Sequence, residues 1–584
     1  MNALLSPRDF LGFCVSQLWS WEISLIIFYT AVMWGLLGTA SVQASTEAPE
    51  APPPLPVSTT PAAPTTNAAP VQPRFFIREI RVQGGEKLIP KLQVEETVYP
   101  FLGPYRTPDD VEQARAALEK VYRDKGFQTV AVQIPPQQVK GGIIILQVEP
   151  NPVGRLRVTG ARYFSPEVIK SEAPSLQEGK VPNFNDVTRD LVALNQMSDR
   201  RITPTVNPGK IPGTVDVDLN VKDSPPLHSS VEISNRYSVD TSQLRLNGSV
   251  TYDNLWQLGH TISGSFQTSP QNFSQVKVFS GYYSAPIPGV DGLSMMLLGS
   301  DQNSNVSTIS SGLSGGSTGI GQTVGIRANF SLPSKQDFYH SASLGFDYKH
   351  YEQDLMSNGA VLYTTPITYY PFSLSYSATW IGKGYETDVN GAINFHLRGM
   401  GSSETEFDND RHGADGSYIY FRGDVSHTRE LPGGLQAFFK VQGQAADQPL
   451  VTNEQFSGGG LDTVRGFLES EVLGDNALLG RVELRSPSMG PWISKSIDDW
   501  RVYIFTDGGM LTENGQLAES PVQYDLLSVG AGTHIKVLKY INSSLDVGIP
   551  LVTSVEYSSP PTTPFQFQEH PYDARITFRF WAEF

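Results

Sequence analysis

Three short runs hold the residues whose types and spacing bear on chemistry: Val464-Arg465-Gly466-Phe467, Gly480-Arg481-Val482-Glu483-Leu484-Arg485 and Phe505-Thr506-Asp507-Gly508-Gly509. A guanidinium presents a rigid planar fork that a carboxylate accepts through two parallel hydrogen bonds, so Arg465 and Asp507 are candidates for a charge clamp. A clamp of this kind joins chain segments; it does not by itself move protons or electrons. Gly466, and Gly458-Gly459-Gly460 upstream, would let the backbone turn tightly beside it. Each residue alone has an ordinary alternative, with Arg465 a solvated loop residue and Asp507 the start of a turn at Gly508-Gly509. The ordered occurrence of all three runs in one strand-rich region favours the clamp.

Other chemistries fit poorly. Glu404, Glu406, Asp408 and Asp410 form an acidic run without the ligand spacing of a calcium loop, and a solvated outer loop is expected there. The nine histidines lack zinc-protease spacing, no serine elbow occurs, and the run Gly315-Gly316-Ser317-Thr318-Gly319-Ile320-Gly321 lacks the strand-to-helix context that cradles phosphate. Neither an enzyme, a metal site nor a cofactor is expected. A net charge of -16 and a pI near 5.1 argue against nucleic acid as a partner.

The elements that position the clamp begin after an export signal. An apolar run from Ile23 to Gly38 precedes the small residues of Val42-Gln43-Ala44, so residues 1–44 read as a signal peptide, though one longer than most and carrying Arg8 against Asp9 and Glu22. The run is shorter than the ~20 residues that span a bilayer, which disfavours a retained anchor. The single cysteine, Cys14, would leave with it. Residues 45–73, mostly Pro, Ala, Thr and Val, form a linker that cannot bury a core.

From Phe75 the pattern reads strand (75–82), helix, helix, strand (127–134), strand (142–148). Thr107 caps the second helix, Pro108 suits its first position and Asp110 completes a capping box. Val111, Ala114, Leu118 and Val121 then share one face until Gly126 stops the helix. The same order returns from Val153, with Val187, Leu191 and Leu194 on a helical face, a repeat of about 75 residues. Two tandem βααββ modules follow, at 74–150 and 151–224.

After Pro225-Pro226 the period changes to two. Val231 and Ile233 alternate with Glu232 and Ser234; Leu244 and Leu246 alternate with Arg245 and Asn247; Ile393, Phe395 and Leu397 alternate with Asn394, His396 and Arg398. In the last strand Ile576, Phe578, Phe580, Ala582 and Phe584 share one face. Alternation suits a soluble sandwich and a membrane barrel equally. The 53 glycines, 24 tyrosines and 29 phenylalanines, with only 17% charged residues, suit an all-β body with tight turns and aromatic girdles. A segment of about 30 residues, spanning roughly 446–477, separates two of the strands and carries the clamp arginine, which marks it as functional or disordered.

The Val-Arg-Gly-Phe tetrapeptide, the Gly-x-x-Glu-x-Arg strand (Gly480, Glu483, Arg485) and the Phe-x-Asp-x-Gly strand (Phe505, Asp507, Gly509), in order before an aromatic C-terminus, resemble the signatures of the outer-membrane insertase and secretion-transporter superfamily. Two preceding modules of POTRA type resemble in particular the TpsB-type transporters of two-partner secretion, the haemolysin and filamentous haemagglutinin secretors. The resemblance implies about sixteen strands over 227–584, which at about 22 residues each is also what the length allows. It implies that Arg465 sits at the tip of a loop folded into the barrel, with Asp507 its partner on the inner wall. Val464, Gly466 and Phe467 support that tip, while Phe580 and Phe584 are the signal read by the barrel-assembly machinery.

The expected function follows: the POTRA modules, in the periplasm, capture an unfolded, TpsA-like exoprotein by adding its strands to their sheet edges, and the barrel, set in outer-membrane lipid, passes it to the cell surface. Client folding outside would drive export, since no nucleotide site is present. Some relatives carry an N-terminal plug helix, which the proline-rich 45–73 cannot form, so the resting pore must be closed another way. The rivals are a β-barrel assembly insertase, a passive porin and, more weakly, a surface-binding barrel.

Overall fold

The computed structural model describes residues 74–85, 87–195, 197–239, 241–304, 319–334, 337–357, 360–515, 520–559 and 564–584. The signal peptide, Cys14, the linker and the glycine run at 315–318 lie outside the described residues.

In the first module Glu79–Gln83 pairs parallel with Ile143–Pro150, which pairs antiparallel with Val130–Gln133. Helices Lys91–Val98 and Pro108–Asp124 cover this sheet. The Asp110 carboxylate accepts from the Thr107 backbone N–H (2.7 Å) and hydroxyl (2.9 Å), so the cap forms as its sequence suggests and those bonds hold the Asp110 carboxyl below its ordinary pKa. The buried face is Val111, Ala114, Leu118 and Tyr122; Val121 packs only at its margin. The expected first strand is divided at Arg78, and its opening piece, Phe75–Ile77, pairs with a strand absent from the sequence reading, Gly103–Arg106. Four residues matched to a segment 26 positions or more away leave no local periodicity to find.

The second module repeats the plan. Val153–Thr159 runs parallel to Val215–Asp223, whose other edge takes Arg200–Pro208, and helices Pro166–Ser171 and Phe184–Leu194 close over a core that includes Leu156, Ile169, Val187, Leu194 and Leu219. The modules are joined end to end: the Phe184 N–H donates to the Gly126 carbonyl (2.8 Å) and Asn183 Nδ2 to the Lys125 carbonyl (3.0 Å). The second module meets the barrel through Gln257, which accepts from the Ser165 N–H and donates to the Tyr163 carbonyl.

The remaining strands close into one antiparallel barrel, with Leu227–Ser234 paired on one side to Arg245–Leu255 and on the other to the last strand, Arg575–Glu583. Ala360–Tyr369 and Phe372–Gly382 pair with successive halves of the long strand Phe338–Ser357, so they are one wall strand interrupted at Tyr370-Pro371. Proline there has no N–H to give the ladder. Counted this way the wall has sixteen strands, and an even number returns Phe584 to the end where the modules attach, bonded to Ser229.

Closure decides what alternation left open. Val231 (54% exposed) and Ile233 face outward with Ile504, Ile576 and Phe580, while Glu232, Ser234 and Arg245 are buried inside. No second sheet covers the apolar face among the described residues, so this surface is made for hydrocarbon, where a closed ladder leaves no unpaired edge. The acidic run corrects an expectation. Glu404–Asp410 is not a plain solvated loop but a short helix with its own Ser403/Glu406 capping box, and Phe407 is fully buried against Tyr369, Tyr418 and Leu450. Capping and one apolar residue among carboxylates suffice to fold it onto the barrel mouth.

Candidate functional site: a loop folded into the lumen

Between the wall strands Gln436–Ala446 and Asn476–Arg485 the chain does not project outward. It passes through a 3₁₀ turn, Thr452–Glu454, and a short hairpin in which Phe456–Gly458 pairs with Val472–Gly474. Its apolar side chains are what seat it: Val464 and Phe467 pack with Val472, Leu479, Leu511, Tyr524, Leu526 and Phe567, and Leu450 and Val451 join the aromatic cluster around Tyr369 and Tyr420. At roughly 1.5–3 kcal/mol for each fully buried large apolar side chain, these contacts are a substantial reason for the loop to lie inside.

At the tip, Arg465 is 3% exposed. Its Nε lies 2.6 Å from Asp507 Oδ2 and its Nη2 2.8 Å from Asp507 Oδ1, the two-bond fork expected of this pair, and the Arg465 N–H donates to the same carboxylate at 3.2 Å. Nη1 meets Glu483 Oε1 at 2.7 Å and Asp546 Oδ1 at 3.3 Å. The guanidinium carbon stands 3.5 Å from the centre of the Phe505 ring, close enough for the ring face to stabilise the cation. One guanidinium therefore serves three carboxylates, which also draw on Arg481 and Arg485: Glu483 accepts from both, and Arg481 Nε approaches Asp507 at 3.7 Å.

The backbone that makes this possible is local. Gly466 has φ +95, a left-handed conformation that side-chain-bearing residues disfavour, and it lies directly against Gly548 of the wall strand Ile541–Tyr557. A Cβ on Gly548 would fall 2.6 Å from the Gly466 nitrogen, so two facing glycines let loop and wall backbones touch. In the wall, Arg481 pairs opposite Asp507 and Glu483 opposite Phe505, because Asn476–Arg485 and Ile497–Thr512 are adjacent antiparallel strands in that register. Gly480 lies opposite Gly508, and a Cβ on Gly509 would fall 2.1 Å from the Leu478 carbonyl oxygen. The structure thus brings Val464, Arg465, Gly466, Phe467, Glu483, Phe505 and Asp507 together, with Arg485 behind Glu483 and Gly480 and Gly509 in the supporting ladder. Phe580 and Phe584 are elsewhere, on the outside of the last strand.

Several participants escaped the sequence reading. Asp546 and Tyr503 share the tip, the tyrosine hydroxyl donating to Asp546 Oδ1 at 2.9 Å. Farther along the loop, Glu454 accepts from Lys349 Nζ (2.5 Å), Tyr369 (2.7 Å) and Tyr420 (2.6 Å); Arg236 pairs with Asp462 and Glu469; Arg411 pairs with Asp475. The available signal was charge asymmetry. Residues 447–475 hold six carboxylates, Asp447, Glu454, Asp462, Glu469, Glu471 and Asp475, against Arg465 alone, an acidic segment in need of a basic wall.

A family model described as haemolysin secretion/activation protein ShlB/FhaC/HecB matches residues 213–535, and a second, described as POTRA domain, ShlB-type, matches residues 75–151. The outer membrane transporter CdiB of Escherichia coli is 23% identical over 506 residues, 85% of this chain and 82% of the relative. The transporter of the same name from Dickeya dadantii (strain 3937) is 23% identical over 453 residues, 76% of this chain and 77% of the relative. Among solved structures, CdiB from Escherichia coli superposes with a TM-score of 0.61 at 20% identity, and CdiB from Acinetobacter baumannii with 0.55 at 15%, each covering 100% of both chains, a likeness of fold. With one family model spanning more than half of its length and lying on the barrel and clamp just described, the chain belongs to the haemolysin secretion/activation protein family ShlB/FhaC/HecB.

Proposed function

We propose that this chain captures one large, unfolded, TpsA-like exoprotein on its periplasmic modules and passes it through the barrel to the cell surface, with the Arg465 loop as the element that must move. The chain is an outer-membrane transporter of the two-partner secretion type, its POTRA modules periplasmic. The observation that carries the mechanism is the seating of 447–475 in the lumen by Arg465 on Asp507, Glu483 and Asp546. A lumen filled by the chain's own loop does not suit a passive porin. A clamp made of one short segment on one wall suits a reversible gate, because the loop ends stay bonded to strands while the tip leaves.

In this reading residues 1–44 are the signal peptide, 45–73 the linker, 74–150 and 151–224 the two modules and 227–584 the barrel, and the loop closes the resting pore. Client strands add to exposed sheet edges, such as Arg200–Pro208, where backbone hydrogen bonds give affinity with little sequence demand. Phe580 and Phe584 present the last strand to the barrel-assembly machinery, and the outward apolar faces take up outer-membrane lipid. The chain performs no catalysis, and folding of the client outside drives its passage. The test is surface release of the partner from cells producing wild type, Arg465→Ala or Asp507→Ala, with insertion checked by heat-modifiable gel mobility. Normal insertion with release changed from the wild-type level is expected, since the tip is no longer held in its seat. Unchanged release, with other outer-membrane barrels failing to assemble when the protein is depleted, would replace this reading with an insertase.

A further inference from the structure

Where the second module meets the barrel, three ligand-bearing side chains converge from separate segments. Asp199 precedes the strand Arg200–Pro208, His228 is the second residue of Leu227–Ser234, and Asp253 lies near the end of Arg245–Leu255. His228 Nε2 stands 2.9 Å from Asp199 Oδ2 and 3.7 Å from Asp253 Oδ2, and the three donor atoms lie within 4.8 Å of one another. Asp199 is 6% exposed. Among the described residues neither carboxylate pairs with a lysine or arginine. Their other side-chain contacts are uncharged: the Ser224 hydroxyl at 3.4 Å from Asp199 Oδ1 and the Thr261 hydroxyl at 2.6 Å from Asp253 Oδ1.

Two carboxylates and an imidazole, with no lysine or arginine among the described residues paired to them, make a site that would welcome a cation; Asp199 is buried, while the His228 and Asp253 side chains are 44% and 31% exposed and leave the site open to an ion from solution. We propose that Asp199, His228 and Asp253 bind a divalent transition-metal ion of the zinc type, which ties the second module to the first two wall strands. Donors about 2.0–2.2 Å from a tetrahedral zinc lie about 3.4 Å from one another, and the two histidine distances bracket that value. An imidazole among the donors selects zinc-type ions over calcium and magnesium, which take oxygen ligands. Water completes the fourth position. The backbone is already drawn together there, the Ser224 N–H donating to the Asp199 carbonyl (2.9 Å) and the Asp253 N–H to the Pro226 carbonyl (2.8 Å), so an ion would stiffen the joint that aims the modules at the pore. The site stands independently of the reading of the Arg465 loop.

The test titrates Zn²⁺ into chelator-washed, detergent-purified full-length protein by calorimetry, beside His228→Ala, Asp253→Asn and the control His412→Ala. One site with Kd below about 10 µM is expected in wild type and control. The two site variants should bind weaker by at least the roughly tenfold that loss of even an outer-shell partner costs. Zn²⁺ should also slow hydrogen exchange at 197–203 and 224–230 in wild type and not in the site variants, whose folding is verified by heat-modifiable mobility. Absence of binding, or binding unchanged in both site variants, overturns the site; binding without added protection at the joint overturns its role as a tether.

Discussion

Replacing Arg465 with alanine is the perturbation whose consequence can be worked furthest. In the wild type, Asp507, Glu483 and Asp546 face Arg465, Arg481 and Arg485, three charges against three. Removing Arg465 leaves Glu483 its two other arginines and Asp507 a distant one at 3.7 Å, but leaves Asp546, 2% exposed, with Tyr503 as its remaining hydrogen-bond partner. Breaking a buried pair by deleting one partner costs about 3–5 kcal/mol, because the other charge stays buried. Divided by 1.4 kcal/mol per decade, that is roughly 10²-fold to a few thousand-fold in the ratio of seated to released tip. The loop as a whole stays anchored by Glu454 and Asp475, so the effect is a tip that opens, not a barrel that unfolds. Single-channel recording in planar bilayers reads it: Arg465→Ala should show long open states that are rare in the wild type. Arg465→Lys, which keeps the charge and loses the fork, should fall between them. The double variant Arg465→Ala/Asp546→Asn should be less open than Arg465→Ala alone, since the stranded charge is gone. Equal conductance in wild type and Arg465→Ala, or strict additivity in the double variant, would refute the buried-charge argument.

Three further outcomes follow from other contacts. Gly548→Val adds no charge but places carbon 2.6 Å from the Gly466 backbone nitrogen, so it should unseat the tip and reproduce the open-channel behaviour of Arg465→Ala in the same recordings. Leu118→Ala empties the centre of the first module's core and should cost it about 2–5 kcal/mol, seen as earlier loss of protease resistance over 75–150 on heating while the barrel's heat-modifiable mobility is unchanged. Burial pushes the Asp410 carboxyl up to about 6 against the lowering effects of the Thr452 backbone and Arg411. Its folded pKa exceeds the ordinary value of about 3.9, so the cost of keeping it ionised in place is full above about pH 6, begins to shrink as pH falls through 6 and is gone only near 3.9. Hydrogen exchange over 404–410, corrected for intrinsic rates, should therefore slow between pH 7.5 and 5.5, and Asp410→Asn should abolish the difference.

The sequence was readable where short-range pattern and covalent order carry the information. The Thr107 cap, the 111/114/118 face, the repeat of the module and the period-two strands each depend on neighbours within a turn or a pleat, and each is found in the structure. The clamp pair was readable because its two halves lie in recognisable runs, although 42 positions apart. What stayed hidden depends on the third dimension. Asp546 lies between Leu545 and Val547 on an alternating strand, so its inward aspect could be inferred, but nothing local says that it shares a guanidinium 81 positions away. Lys349 and Glu454 meet only because the loop descends past that part of the wall. The Gly103–Arg106 strand escaped because it is settled by its pairing partner, not by its own composition.

The central claim is that the loop must leave its seat for the partner to pass. A Cβ on Gly458 would stand 2.7 Å from Leu511 Cδ1, so side chains at these two positions meet across the loop–wall contact, where a cysteine pair can be tested for bond formation, and the only native cysteine is Cys14. Surface release of the partner should be measured from cells producing Gly458→Cys/Leu511→Cys, under oxidising and then reducing conditions, beside each single variant. The account predicts that release stops when the bond forms, returns when it is reduced, and is unaffected in the single variants. Undiminished release from a fully cross-linked protein would show that the client passes with the loop in place, contrary to the account.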